Sequence, residues 1–302
     1  MFLRALTLVM ALSLVALPAF ATDVDGPDDC LRDLVDMGDA PELIPAYPTG
    51  VLGHFPTCLA PSAPGNQQAP CPPLSTPPGM TGYVMHVQNP ALKPNYWIGC
   101  YTSPNGPYGI DSDTNGKVNT PAVGISACDH QTPTDCVEAA WGMTFDQDEC
   151  WGDTSDHGLL QTILPVCQLT TATLTTFNCG PDRPVYLNIC IDFNQDGDWN
   201  DNFICPQGCA YEWAVVNALV SLPPGCGSIV SPQFRVGPFP FPAWMRVSLS
   251  DEAMPADYPW NGTVSLAGGE AHGGETEDYP VQIEDHVGVA PSTWGNVKNL
   301  YK

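Results

Sequence analysis

The chain has 302 residues, with 33 acids against 9 Lys and Arg, and a formal net charge of −24. Phosphate binding needs clustered Lys and Arg, so this balance excludes nucleic acid and disfavours anionic lipid as partners. Gly (28) and Pro (33) are far above ordinary usage and exclude long helices, while 43% hydrophobic residues leave enough apolar surface to bury a core.

Residues 1–21 read as a secretory signal. Arg4 supplies the positive start, Leu6 to Leu17 an apolar run, and Ala19-Phe20-Ala21 a small-residue cleavage site. That run is too short for a membrane span, which needs about 20 apolar residues, and no later stretch approaches that length. All 13 Cys follow, from Cys30 to Cys226. Secretion with abundant Cys implies disulfides, and an odd count leaves at least one thiol free or paired outside the chain. Cys205 with Cys209, and Cys128 with Cys136, are close enough in sequence for local bridges.

Residues 22–158 form a Pro- and Cys-rich, loop-rich region with short strand candidates at Tyr83–Val87 and Tyr96–Gly99. A Pro-free stretch allows a short helix near Asp135–Met143. From Leu159 the pattern changes to alternating strands. Thr170–Phe177 is β-branched and half-polar. In Val185–Phe193, Val185, Leu187, Ile189, Ile191 and Phe193 share one face and Tyr186, Asn188, Cys190 and Asp192 the other. Tyr211–Leu222, Ala243–Leu249, Val264–Leu266 and Tyr279–Ile283 follow. Short strands with frequent turn signals predict an all-β fold, an antiparallel β-sandwich over 159–286, followed by a tail, 287–302, readable as a sorting or docking peptide or as a frayed end.

The densest chemical signal is Asp192-Phe193-Asn194-Gln195-Asp196-Gly197-Asp198-Trp199-Asn200-Asp201. Oxygen ligands at alternate positions with a Gly at the sharp turn suit a hard cation such as calcium. Asp192, Asn194, Asp196 and Asp198 are the candidate ligands, with Asn200 acting directly or through water. An EF-hand would place a bidentate Glu where Phe203 stands, and would enter the loop from a helix. The loop must therefore find its closing carboxylate elsewhere. The bland alternative is an Asp/Asn/Gly hairpin without metal, in which crowded acids repel one another.

A second acidic run, Gly273-Gly274-Glu275-Thr276-Glu277-Asp278-Tyr279, precedes the last strand. A strand ending in Asp-x-Asn-x-Asp-Gly-Asp, a strand with a central Arg246, and then Gly-Glu-x-Glu-Asp-Tyr resembles the GEVED domain, a secreted bacterial β-sandwich module. Thr276 stands where the motif has Val. Upstream, Asp36-Met37-Gly38-Asp39-Ala40-Pro41, with Tyr47-Pro48-Thr49 and His54, is similar to the Asp-Phe-Gly-Asp-Ala-Pro segment that often precedes such domains. The joining Asp-Glu-Asp-Gly stretch is degenerate, at Asp153–Gly158. The resemblance spans about 36–285, and the many Cys depart from it. It implies an extracellular module without a catalytic role of its own. Glu275 or Glu277 is then the expected closing ligand for calcium, and Asp278 a turn cap.

Enzyme motifs are missing. The six His form no His-Glu-x-x-His, and there is neither a Gly-x-Ser-x-Gly elbow nor a phosphate-cradling loop. The expected function is a secreted or cell-surface calcium-binding protein with a structural or adhesive role toward an unknown surface protein or glycan. The alternatives are a carbohydrate-binding module and, further off, a carboxylate-based hydrolase. Trp213 and Trp244 are expected in the core, and Tyr258 and Trp260 are the candidates for a surface sugar platform.

Overall fold

In a computed structural model, the chain is described over residues 34–36, 38, 40, 42–56, 66–74, 84, 86–100, 158–261 and 271–285. The signal segment, the helix expected near 135–143, the strand expected at 264–266, Cys128, Cys136 and the tail lie outside these residues.

The described chain is all-β. Its strands run β1 (Leu34–Asp36), β2 (Glu42–Pro45), β3 (Leu52–His54), β4 (His86–Gln88) and β5 (Tyr96–Ile98), then β6 (Ile163–Pro165), β7 (Leu169–Thr170), β8 (Thr173–Asn178) and β9 (Arg183–Ile191). Next come β10 (Asn202–Cys205), β11 (Gly208–Tyr211), β12 (Trp213–Leu222), β13 (Gly225–Val230), β14 (Phe234–Arg235) and β15 (Pro242–Ser250). After one helical turn, α1 (Tyr258–Asn261), β16 (Ala271–His272) and β17 (Gly274–Glu284) complete the described elements.

The largest sheet has five strands in the order β12-β9-β15-β17-β6, and a three-stranded sheet runs β13-β8-β5. Two pairings, β17 with β6 and β16 with β4, are parallel and depart from the all-antiparallel expectation. The main core draws side chains from both sheets. Val185, Leu187, Ile189 and Ile191 of β9 meet Met245, Val247 and Leu249 of β15, with Tyr96, Ile98 and Leu174 from the smaller sheet. Removing most of such a side chain, as in Leu→Ala, costs about 2–5 kcal/mol.

The other face of the five-stranded sheet is also buried. Cys190 and Trp244 join Ala46, Tyr47, Phe55, Val84, Trp199, Trp213 and Tyr258 in a second apolar cluster. The segment 46–56 thus covers this face. Trp244 Nε1 donates to the Ala46 carbonyl at 3.0 Å, and Tyr47 Oη accepts the Trp244 amide at 3.2 Å. β15 is consequently buried along nearly its whole length, although its sequence alternates apolar with polar residues.

Disulfides join distant segments: Cys71–Cys209, Cys100–Cys226 and Cys167–Cys205. The expected local bridge between Cys205 and Cys209 does not form. These residues flank the turn of the β10–β11 hairpin, with Cys205 opposite Gly208, and each sulfur finds a partner from another segment. Among the described residues, Cys190 carries a free thiol, buried in the second cluster.

Candidate metal centre

The Asp loop begins where β9 ends and returns into β10. Local hydrogen bonds hold it. Asn194 Oδ1 accepts the amide of Asp196, Asp198 Oδ1 accepts that of Asn200, and Asp192 Oδ2 accepts that of Gly197 at 2.9 Å. These side-chain-to-backbone bonds replace the ladder that the chain has left. Gln195 and Gly197 take positive φ values of 60° and 92°. Gly197 is required on a second count, because a Cβ there would lie 2.2 Å from the Leu52 carbonyl oxygen.

The fold brings carboxylate oxygens of Asp196, Asp198 and Asp201 within 4.8 Å of one another. Calcium binds oxygens at 2.3–2.6 Å, so ligands across one ion lie up to about 5 Å apart. Asp192 is adjacent and fully buried. Its Oδ2 accepts from Tyr47 Oη at 2.7 Å, while its Oδ1 has no hydrogen-bond partner. Asp196 Oδ1 and both polar atoms of the buried Asn200 carboxamide are also without partners. Among the described residues, the ion pairs present are Lys93–Asp251, Arg183–Asp251 and Arg246–Asp278, so no side-chain cation pairs with the loop acids. An orphaned buried carboxylate oxygen is costly, and a proton or a bound cation removes the cost.

Electrostatics agree with the geometry. Burial, then the neighbouring Asp196 charge, pushes Asp192 up to about 8. Burial pushes Asp201 up to about 8, with Asp196 and Asp198 adding repulsion. Asp196 and Asp198 are raised by burial as well. Without a cation, these groups resist ionising together.

Two residues complete the loop that the sequence reading did not assign. Asp201, at the end of the same run, supplies the third clustered carboxylate and accepts from Asn194 Nδ2 at 2.8 Å. Glu212, beyond the β10–β11 hairpin, accepts the amides of Phe193 at 2.8 Å and Asp201 at 2.9 Å, bracing both ends of the loop. Burial raises its pKa strongly, and the loop aspartates raise it further. Asp201 was legible from its place in the Asp run. Glu212 carried no local signal.

Glu275 and Glu277 do not close this site. β17 pairs with β15 and β15 with β9, which sets Glu275 level with Leu187 and Glu277 level with Ile189. Both positions are two strands away from β9 and short of Asp192 along it, at about 3.3 Å per residue. They also alternate in phase with Tyr279, Val281 and Ile283 of the main core, whereas Asp192 follows Cys190 onto the opposite face. Glu275 instead accepts the Ile98 amide from β5. The acidic run is part of β17 itself, so Asp278 caps no turn. It pairs with Arg246, through Nε–Oδ1 at 2.7 Å and Nη2–Oδ2 at 2.5 Å, with both side chains buried. Phe203, where an EF-hand would have its Glu, is in the main core.

Trp199 links the loop to that ion pair. Its ring stacks on Phe55 at 4.4 Å, and the Arg246 guanidinium lies 4.5 Å from its centroid. Trp213 and Trp244 are core residues, as expected. Tyr258 and Trp260, expected at the surface, are each only 2% exposed. The turn α1 tucks them inward, and the Tyr258 hydroxyl bonds Ser248 Oγ at 2.6 Å.

Comparisons with family models, curated proteins and solved structures return no match. Among the described residues, no helix is long and apolar enough to cross a membrane.

Proposed function

We propose that this chain is an extracellular calcium-binding protein of structural or adhesive role, and that its ion is held by Asp196, Asp198 and Asp201 with Asp192 and Asn200 beside them. The observation that carries the reading is the convergence of three carboxylates beside a fully buried Asp192 oxygen that has no partner. The donors are all hard oxygens, which favours calcium or magnesium over zinc or copper. The number of oxygens on offer favours calcium, which takes 6–8, over the smaller, strictly octahedral magnesium, which keeps several waters. Three long-range disulfides support an oxidising compartment. The buried Arg246–Asp278 pair gives the acidic run a structural use.

Isothermal titration of the folded protein with calcium and with magnesium tests this reading. Saturable calcium binding, weaker for magnesium and lost in Asp196→Ala, is the expected result. No heat at millimolar calcium would remove the proposal.

A further inference from the structure

Two N-terminal segments meet the Asp loop, and they are held differently. Segment 46–56 is attached by groups of the loop as well as by the Trp244 and Arg246 bonds from β15. Tyr47 Oη donates to Asp192 Oδ2 at 2.7 Å, and the His54 amide donates to the Gly197 carbonyl at 2.5 Å. Segment 66–74 also touches the loop: the Gln68 amide donates to Asp201 Oδ1, and Gln67 Nε2 donates to the Asn200 carbonyl at 2.9 Å. This second segment is in addition fixed covalently, by Cys71–Cys209. No described disulfide fixes 46–56.

Segment 46–56 packs into the second apolar cluster, which also holds the free thiol of Cys190, level with Trp213 and Arg246 on the neighbouring strands. The other half of the Asp192 carboxylate, the partnerless Oδ1, is the atom left for a cation. One carboxylate thus has Tyr47 and the Gly197 amide on one oxygen and no hydrogen bond on the other. Gly197, at the tip of the loop, is packed so closely on Leu52 that a shift of the loop tip must move β3.

We propose that the cation is a clasp for the N-terminal segment: its binding fixes Asp192 and the Gly197 carbonyl where Tyr47 and His54 dock, and its loss releases 46–56 and opens the face over Cys190. This rests on the calcium reading above. In the ion-free loop the crowded carboxylates cannot all ionise where they stand, and a loop that shifts to separate and hydrate them carries the two anchors with it. The disulfide keeps 66–74 in place, so release is local. Calcium thereby governs whether an apolar face, including Trp244 and Cys190, is covered. By linkage, docking must strengthen calcium binding by the same factor as calcium strengthens docking.

The test uses the intact protein in calcium and after chelation, with calorimetry, peptide-level hydrogen exchange and mass-spectrometric alkylation of Cys190. At calcium one hundred times its Kd, chelation is expected to raise exchange across 46–56 and alkylation of Cys190 by about a hundredfold. Peptide 66–74 should stay protected until Cys71–Cys209 is reduced. Tyr47→Phe, checked for folding by circular dichroism, should weaken calcium binding and raise Cys190 alkylation in calcium. If calcium binds but 46–56 and Cys190 do not respond to chelation, the clasp is overturned and the calcium reading stands. If chelation deprotects the whole chain at once, the ion is a global structural element and the clasp is likewise overturned. If calcium does not bind, both readings fall.

Discussion

Glu212 receives the amide of Asp201 at 2.9 Å, so the residue that supplies the third clustered carboxylate is itself positioned by an acid from beyond the next hairpin. Glu212 also receives the Phe193 amide, and it therefore sets the loop's two ends relative to each other. The ligand set consequently depends on the Asp loop and the β10–β11 hairpin, and not on the acidic run of β17. Asp201→Asn should weaken calcium binding at least tenfold, while Glu275→Gln and Glu277→Gln should leave affinity unchanged. Titration calorimetry of the three variants checks this. A loss of affinity in either Glu variant would return β17 to the site.

The pH dependence has a definite sign. Asp192 and Asp201 titrate near 8 in the folded, ion-free chain and near 4 when unfolded. Between these values the folded state holds more protons, so ion-free stability falls as pH rises through the window up to about 8. Calcium binding must release those protons, so affinity rises over the same range. His86 works the other way: burial lowers it to about 4, and its stabilising effect, full above 6.5, is lost as pH falls toward 4. Melting temperatures between pH 6.5 and 9 isolate the carboxylates. In chelator they should drop with pH, and in saturating calcium the drop should vanish. A flat profile in chelator would contradict the burial argument.

The Arg246–Asp278 pair has both partners buried, and Arg246 Nη1 also donates to the Pro56 carbonyl at 2.8 Å. Asp278→Asn leaves a buried guanidinium without its counter-charge and should cost about 3–5 kcal/mol. Arg246→Met with Asp278→Leu should recover part of that loss. Full recovery is not expected, because the Pro56 carbonyl and the Ala40 amide, which donates to Asp278 Oδ2 at 2.7 Å, lose their partners. Urea unfolding of the single and double variants measures both numbers.

Thr276 has a partner that explains its hydroxyl. Its Oγ1 lies 2.8 Å from His86 Nε2 and 2.6 Å from Ser248 Oγ. His86 Nδ1 faces the Gly273 carbonyl at 3.3 Å and is assigned the proton, which leaves Nε2 to accept from Thr276. Thr276→Val orphans a buried imidazole nitrogen, at an expected cost of about 1–3 kcal/mol. Thr276→Ser should be closer to neutral. Thermal melts at pH 7.5 distinguish the two variants, and equal stabilities would remove the hydrogen bond's importance.

Disulfide mapping by non-reducing peptide mass spectrometry should find Cys71–Cys209, Cys100–Cys226 and Cys167–Cys205, with Cys190 alkylated only after unfolding in the calcium-loaded protein. A Cys205–Cys209 linkage would contradict the fold around the β10–β11 hairpin.

By itself the sequence determined the longer strands β8, β9, β12, β15 and the end of β17, whereas β2, β3, β10, β11, β13 and β14 were not read from it. The period-two apolar residues of β9, β15 and the end of β17 enter one core, because alternation is a local property of an extended backbone. The Asp loop was legible for the same reason, since its Asx turns and its left-handed Gly197 are set by near neighbours. Only the tertiary structure decided what lies across the sheet. Strand order placed Glu275 and Glu277 on the opposite face from Asp192 and set Asp278 against Arg246. Chain return brought Glu212 under the loop, Tyr47 onto Asp192, and a covering segment over the second face. Register between strands and the closure of long loops depend on contacts between residues far apart in the chain, and no local pattern in either partner encodes them.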